Sequence, residues 1–201
     1  MIENNIRVID GKNKILLSAP HSVLHMRENS IRPKETKTGV IVRTLANKYK
    51  VYGIYKLKNE FNDANWDKDC KYKLKVAQIV NKEKIKALID VHGMAAHRQQ
   101  DICIGINGGK NICGYDNVVE DMVIIFKKYG FKNVTIDEPF SAKYKYCVSN
   151  YISRACNIPT FQIEINLKYR SAKYKEYTRY QKIISSLVEI IDLLEEKITQ
   201  V

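Results

Sequence analysis

Short apolar runs alternate along this chain with longer segments in which apolar residues recur at helical spacing. The runs at residues 6–9, 14–19, 51–57, 85–91, 101–106, 133–136 and 160–166 predict strands. The periodic segments at residues 40–49, 67–82, 116–129, 149–156 and 171–199 predict helices. Residues 85–91 are almost continuously apolar, which is typical of a strand buried on both faces.

Strands that alternate with helices predict an α/β fold with a mostly parallel sheet covered on both sides. The turn-forming sequence Asp10-Gly11-Lys12-Asn13 between the first two strands predicts a hairpin there. In parallel sheets, ligands bind beyond the carboxyl ends of the strands. Side chains that follow strands are therefore the first candidates for a functional site.

Composition describes an ordinary globular protein. The 201 residues fit a single domain, 1–201, with 45% hydrophobic and 28% charged residues. No apolar run reaches the roughly 18 residues that cross a membrane, and the N-terminus lacks a secretory layout, so we expect a cytoplasmic protein without a membrane partner. The five cysteines are widely spaced with no C-x-x-C pair, which favours reduced thiols over disulfides or a four-cysteine zinc site.

The net charge of +12 raises the question of a nucleic-acid partner. The lysines are scattered along the chain, however, and this favours solvated helix faces over a basic binding patch. A catalytically inactive, basic nucleic-acid-binding protein is therefore the less favoured interpretation. The sequence is compatible with a homo-oligomer as well as with a monomer.

Chemically capable side chains occupy the strand ends. His21 follows the strand 14–19, His92 follows the strand 85–91, and Glu164 lies late in the strand 160–166. Two imidazoles and a carboxylate form a known hydrolytic ligand set for zinc, which accepts nitrogen or oxygen donors at about 2.0–2.2 Å. Asp90 precedes His92 by two residues and so points to the same side of the strand, where it is placed to orient the imidazole.

Glu164 is a carboxylate in an otherwise apolar strand, and burying it unpaired is costly. A structural interpretation pairs it with Arg154 or Arg170. The functional interpretation, which we favour, makes it a general base that takes a proton from water and returns it to a leaving amine.

Two carboxylates compete as the third metal ligand. Glu28 lies three residues after His25, which reproduces the H-x-x-E spacing of zinc carboxypeptidases. Glu35 lies just before a predicted helix, where a first-turn negative charge is also favoured by the helix dipole. Spacing alone leaves the choice open.

Five short segments, in the right order and over most of the chain, resemble the N-formylglutamate amidohydrolase family. They are Pro20-His21-Ser22, Asn62-Asp63-Ala64-Asn65, Asp90-Val91-His92, Glu138-Pro139-Phe140 and Gln162-Ile163-Glu164-Ile165-Asn166. Each segment is short, so the specificity comes from their sum. The family is similar to zinc carboxypeptidases and aspartoacylases.

This resemblance implies a phosphorylase/hydrolase-like three-layer α/β/α sandwich with a mostly parallel mixed sheet. It implies His21, Glu35 and His92 as ligands of one divalent metal, most simply zinc, with Glu164 as base; it thus favours Glu35 over Glu28. The implied activity is hydrolysis of the amide bond of a small N-acyl amino acid. A metallopeptidase or cell-wall amidase that uses the same site is the alternative.

The chain departs from the family pattern at two positions. Val23 replaces the glycine after Pro-His-Ser, and Trp66 replaces the arginine after Asp-x-Asn. In the family that arginine is suited to contact a substrate carboxylate or an oxyanion, so its loss puts formylglutamate itself in question as the substrate. We expect the substrate to be held by a replacement arginine and the polar loop, with these side chains as candidates: Arg98, Asn62, Asn65 and Arg170.

Overall fold

The computed structural model describes residues 2–3, 5–58, 61–170 and 177–199. The strands in these ranges are β1 (Ile2–Glu3), β2 (Ile6–Ile9), β3 (Ile15–Ala19), β4 (His25–Arg27), β5 (Ser30–Arg32), β6 (Tyr52–Lys56), β7 (Ala87–Met94), β8 (Ile102–Gly105), β9 (Val134–Ile136) and β10 (Thr160–Asn166). The helices are α1 (Thr38–Tyr49), α2 (Lys71–Glu83), α3 (Asp116–Lys128), α4 (Val148–Cys156) and α5 (Tyr177–Leu194), the last continued by a π-helical segment, Glu195–Thr199. Within the described ranges, no helix is both long and apolar enough to span a bilayer.

Eight strands form one mixed sheet in the order β1-β2-β6-β3-β7-β10-β8-β9. The four central strands β6, β3, β7 and β10 are parallel, whereas β2 and β8 run antiparallel to their neighbours β6 and β10. The predicted mostly parallel sheet is confirmed. The carboxyl ends of the central strands consequently lie together at one edge.

The predicted hairpin between residues 6–9 and 14–19 is wrong, because β6 is inserted between β2 and β3. The connecting segment runs along the start of β6, where the backbone N–H of Lys12 donates to the carbonyl oxygen of Lys50 at 2.6 Å. A Cβ at Gly11 would lie 2.4 Å from the backbone nitrogen of Tyr52. The glycine therefore serves a close approach of two backbones, not a two-strand turn.

Helices cover both faces of the sheet. One face packs against α1, α3 and α5 through strand residues such as Leu17 and Ile89. The other packs against α2 and α4 through Leu16 and Leu88. Alternate strand residues face opposite layers, as the period of a strand requires. The three-layer α/β/α sandwich is confirmed.

Two segments that bear on the site differ from the sequence prediction. Strand β7 extends to Met94 instead of ending at residue 91, so His92 lies inside the strand. The charged stretch 20–37, to which the sequence pattern assigns no strand or helix, contains the two-stranded hairpin β4–β5.

The predicted C-terminal helix begins at residue 171, and its first six residues lie outside the described ranges. The helix is described from Tyr177.

Candidate active site

The polar side chains of the central strands project from the sheet face that α2 and α4 cover. Asp90 and His92 are two residues apart on β7 and share this face, as do Gln162 and Glu164 on β10. The two strands pair in parallel with Gln162 opposite Asp90 and Glu164 opposite His92. This register brings carboxylates and an imidazole together at the carboxyl end of the sheet.

Three side chains from separate parts of the chain converge there. Nδ1 of His21 lies 2.8 Å from Oε1 of Glu35, and Nδ1 of His92 lies 3.1 Å from Oε2 of the same carboxylate. Potential ligand atoms of the three residues all lie within 4.8 Å of one another. The backbone N–H of Gly93 donates to Oε2 of Glu35 at 2.9 Å and fixes the carboxylate between the rings.

A carboxylate lies behind each imidazole. Nε2 of His21 is 2.7 Å from Oδ1 of Asp63, and Nε2 of His92 is 3.1 Å from Oδ2 of Asp90. Both carboxylates are fully buried, and Oδ1 of Asp90 accepts no hydrogen bond from the described residues. When each ring donates its Nε2–H to the carboxylate behind it, Nδ1 faces Glu35, and its lone pair can bind a cation once Nδ1 carries no proton. Two nitrogens and one oxygen so arranged suit a zinc ion, and the carboxylates behind them are the usual supports of zinc-bound histidines.

The cluster is electrostatically coupled. Burial disfavours the imidazolium of His92, but the negative charges of Glu35 and Asp90 outweigh it and raise the pKa of His92 well above its usual value. Burial likewise works against the charged forms of His21 and Glu35, and again the partners prevail: the pKa of His21 is raised, and that of Glu35 is well below its usual value. In the metal-free protein Glu35 is therefore ionised, and the two imidazoles hold protons that a cation must displace.

Glu164 lies across from His92 and lines the same cleft. Its Oε1 accepts a hydrogen bond from Nε2 of Gln162 at 3.3 Å. Burial, the largest influence, raises the pKa of Glu164 to about 7. A carboxyl group with that pKa exchanges protons readily near neutral pH.

The residues converge on a cleft of about 310 Å³, a size suited to a small molecule. His21, Glu35, His92 and Glu164 all line it. The remaining wall is formed by residues from five segments: Arg27, Asn65 and Trp66, Gly93, Pro139–Tyr144 with Cys147, and Gln162.

The alternative ligand Glu28 is not brought to this cluster. It lies in the exposed turn of the β4–β5 hairpin, where its backbone adopts a positive φ of 50°. Glu35 instead follows the hairpin and is tied to His21 by a backbone hydrogen bond, from the Glu35 N–H to the His21 carbonyl oxygen, of 2.9 Å. The geometry therefore favours Glu35, the residue that the family resemblance implied.

The two arginines predicted to bind substrate lie elsewhere. Arg98 is exposed, and its guanidinium carbon is 5.4 Å from the centre of the Phe140 ring, outside the cleft lining. Arg170 is buried behind Gly93, and its nitrogens donate to the carbonyl oxygens of Ile165, Met94 and Thr36. It acts on the site through the backbone of β7 and β10, not through the cleft, and its hydrogen bonds go to carbonyls instead of to Glu164.

Of the two asparagines of the predicted substrate loop, only one lines the cleft. Asn62 accepts a hydrogen bond from Nζ of Lys56 at 2.5 Å and does not line the cleft. Asn65 does line it: its side-chain oxygen accepts from the Val148 N–H at 2.9 Å, and its Nδ2 lies 3.2 Å from Nε2 of His92.

Sequence reasoning missed three residues of the site. Asp63 is the aspartate of the Asp-x-Asn segment, so a signal was present, but the segment was interpreted only as a substrate loop. His25 stacks on His21 with ring centres 3.9 Å apart, and its Nε2 is 3.8 Å from Asp63; burial lowers its pKa to about 4. Arg27 binds Asp63 and lines the cleft. The sequence pattern assigns no element to the hairpin that positions His25 and Arg27, and it singles out His25 only through its H-x-x-E spacing to Glu28.

Comparison with solved structures identifies the architecture. An N-formylglutamate amidohydrolase from Ralstonia eutropha superposes with a TM-score of 0.68 at 11% sequence identity, over 96% of this chain and 99% of that one. The chain has the fold of an N-formylglutamate amidohydrolase. The resemblance found in the short sequence segments is thus supported at the level of the fold.

Other solved structures share the N-formylglutamate amidohydrolase fold with this chain. A gene product of Agrobacterium tumefaciens matches with a TM-score of 0.66 at 13% identity, over 96% of both chains. A bacteriophage poly-gamma-glutamate hydrolase matches with a TM-score of 0.54 at 12% identity, over 94% of this chain and 90% of that one. No family model and no curated protein matches the sequence.

Proposed function

We propose that this protein is a zinc-dependent amidohydrolase that cleaves the amide bond of a small N-acyl amino acid. The observation that carries the proposal is the convergence of His21, Glu35 and His92 next to a buried Glu164 in one cleft. The fold shared with N-formylglutamate amidohydrolase supports the same reaction class.

His21, Glu35 and His92 would hold the ion. The donor set fits zinc because both Nδ1 atoms face Glu35, while Asp63 and Asp90 accept from the opposite nitrogens. Bound zinc supplies a Lewis acid that lowers the pKa of water and polarises an amide carbonyl.

Glu164 acts as the general base and then as the general acid. Its carboxylate takes a proton from the attacking water, and its carboxylic acid then delivers that proton to the nitrogen of the leaving amine. A pKa of about 7 leaves both forms populated near neutral pH, as one group acting first as base and then as acid requires. Gln162, which donates to Oε1, restrains the carboxyl group without pairing it with a fixed charge.

The test is hydrolysis of a panel of N-formyl and N-acetyl amino acids by the zinc-loaded protein, its Glu164→Gln variant and its His92→Ala variant. We expect turnover in the wild type, loss of turnover with zinc retained in Glu164→Gln, and loss of both in His92→Ala. Zinc-independent hydrolysis, or hydrolysis unchanged in Glu164→Gln, would remove these residues from the mechanism.

A second candidate keeps the site and changes the substrate to a peptide-like amide. The fold shared with the phage poly-gamma-glutamate hydrolase favours it. Release of ninhydrin-reactive amines from poly-gamma-glutamate or peptidoglycan fragments, without turnover of N-acyl amino acids, would select this alternative.

A further inference from the structure

Arg27 is the only arginine among the described residues that line the cleft. It ends strand β4, and its side chain is about one-third exposed, in contrast to the fully buried Asp63 that it binds. Nε and Nη2 of Arg27 both lie 2.7 Å from Oδ2 of Asp63. Among the described residues, none accepts a hydrogen bond from its Nη1, so one donor edge of the guanidinium is available to a ligand.

An aromatic side chain packs against this guanidinium. The Arg27 guanidinium carbon lies 5.0 Å from the centre of the Trp66 ring, and Trp66 in turn stacks on Tyr144 at 4.6 Å. Stacking on an aromatic face orients an arginine without consuming its hydrogen-bond donors. Trp66, which stands where the resembled family has an arginine, thus contacts an arginine that strand β4 supplies.

Asp63 connects this arginine to the candidate metal ligands. Its Oδ1 contacts Nε2 of His21, while its Oδ2 binds Arg27. Arg27 is therefore linked to the metal-binding group through one carboxylate and one imidazole, and Arg27 and His21 line the same cleft. A small molecule in that cleft can present its amide to the metal-binding group and its carboxylate to Arg27.

We propose that Arg27 is the specificity-determining residue of this cleft and that it binds a carboxylate on the amine portion of the substrate. The inference rests on the proposed function and names its substrate class: N-acyl amino acids, whose carboxylate is retained, in preference to neutral amides. Lys143, which lines the same cleft, adds a second positive charge to its wall.

The test compares N-formyl-L-glutamate with its diamide, in which both carboxyl groups are carboxamides. In the zinc-loaded wild type, we expect kcat/KM to favour the acid. Arg27→Gln should lower kcat/KM for the acid by about tenfold to a hundredfold, mainly through KM, and leave the diamide nearly unaffected. Arg27→Lys, which keeps the charge but loses the planar fork, should be intermediate.

Arg32→Gln is the matched control, because Arg32 is an exposed arginine on the neighbouring strand β5 that does not line the cleft. Equal losses for acid and diamide in Arg27→Gln would show that Arg27 only anchors the hairpin to Asp63, and would overturn the proposal. Thermal unfolding and zinc content of each variant separate that case from misfolding.

Calorimetric binding of N-formyl-L-glutamate and of the diamide, measured on Glu164→Gln with and without Arg27→Gln, separates this proposal from the proposed function. If the zinc-loaded wild type hydrolyses neither compound, Arg27-dependent binding of the acid would support the carboxylate site while refuting the amidohydrolase. Binding that is absent, or that is equal for acid and diamide, would overturn the carboxylate site.

Discussion

Replacing Asp63 by asparagine tests whether the buried carboxylates behind the imidazoles serve a metal. Asp63 accepts from His21 at 2.7 Å, binds Arg27 at the same distance, and receives the backbone N–H of Asn65 at 2.8 Å. Asparagine is nearly isosteric but carries no charge, so it weakens the orientation and basicity of His21. Loss of such a supporting group typically costs tenfold to a hundredfold in zinc affinity, or about 1.4–2.8 kcal/mol.

The assay is competition for zinc against a fluorescent chelator at fixed pH, with Asp69→Asn as the control. Asp69 is an exposed aspartate of the same loop region, and its replacement changes the net charge by the same amount. We expect weaker zinc binding in Asp63→Asn and wild-type binding in Asp69→Asn. Equal affinities in the wild type and Asp63→Asn would refute the assignment of Asp63 as a support of a metal ligand.

Three further predictions follow from the same geometry. Glu164→Gln should retain zinc but lose about 10²- to 10⁴-fold in kcat, measured by release of formate or acetate; an unchanged kcat would contradict the role of base. Because the pKa values of His21 and His92 are raised in the metal-free protein, protons compete with zinc, and zinc affinity should increase from pH 6 to pH 8 with proton release detectable by calorimetry in two buffers; a pH-independent affinity would argue against imidazole ligands. Gly93→Ala should lower the free energy of unfolding by about 1–3 kcal/mol in chemical denaturation, because its Cβ would lie 2.4 Å from the guanidinium carbon of Arg170; wild-type stability would show that Arg170 moves without cost.

The central part of the fold followed from local patterns. The apolar run 85–91 and the alternation of strands with helices predicted a covered, mostly parallel sheet, because burial on both faces leaves a direct mark on composition. The pairing partners of the strands outside the centre leave no such mark on the sequence. Residues 6–9 pair with β6 across an interval of more than forty residues, and Asp10-Gly11 imitates the signal of a tight turn.

The residues of the site divide in the same way into those that local patterns predict and those that they do not. His21, His92 and Glu164 were identified because they are polar residues at strand ends, where topology alone brings side chains together. Asp63 and Arg27 lie in a loop and in a short hairpin, whose placement depends on tertiary contacts that no periodicity encodes. Conversely, the sequence made Arg170 a candidate for substrate binding, yet its side chain donates hydrogen bonds to the backbone carbonyl oxygens of Ile165 and Met94, next to Gly93.

X-ray absorption spectroscopy of the zinc-loaded protein tests the central claim most directly. We predict one zinc per chain with two imidazole nitrogens and oxygen donors at about 2.0–2.1 Å, and loss of the bound zinc in the double variant His21→Ala/His92→Ala. A wild-type protein that binds no stoichiometric zinc, or a spectrum that the double variant leaves unchanged, would contradict it.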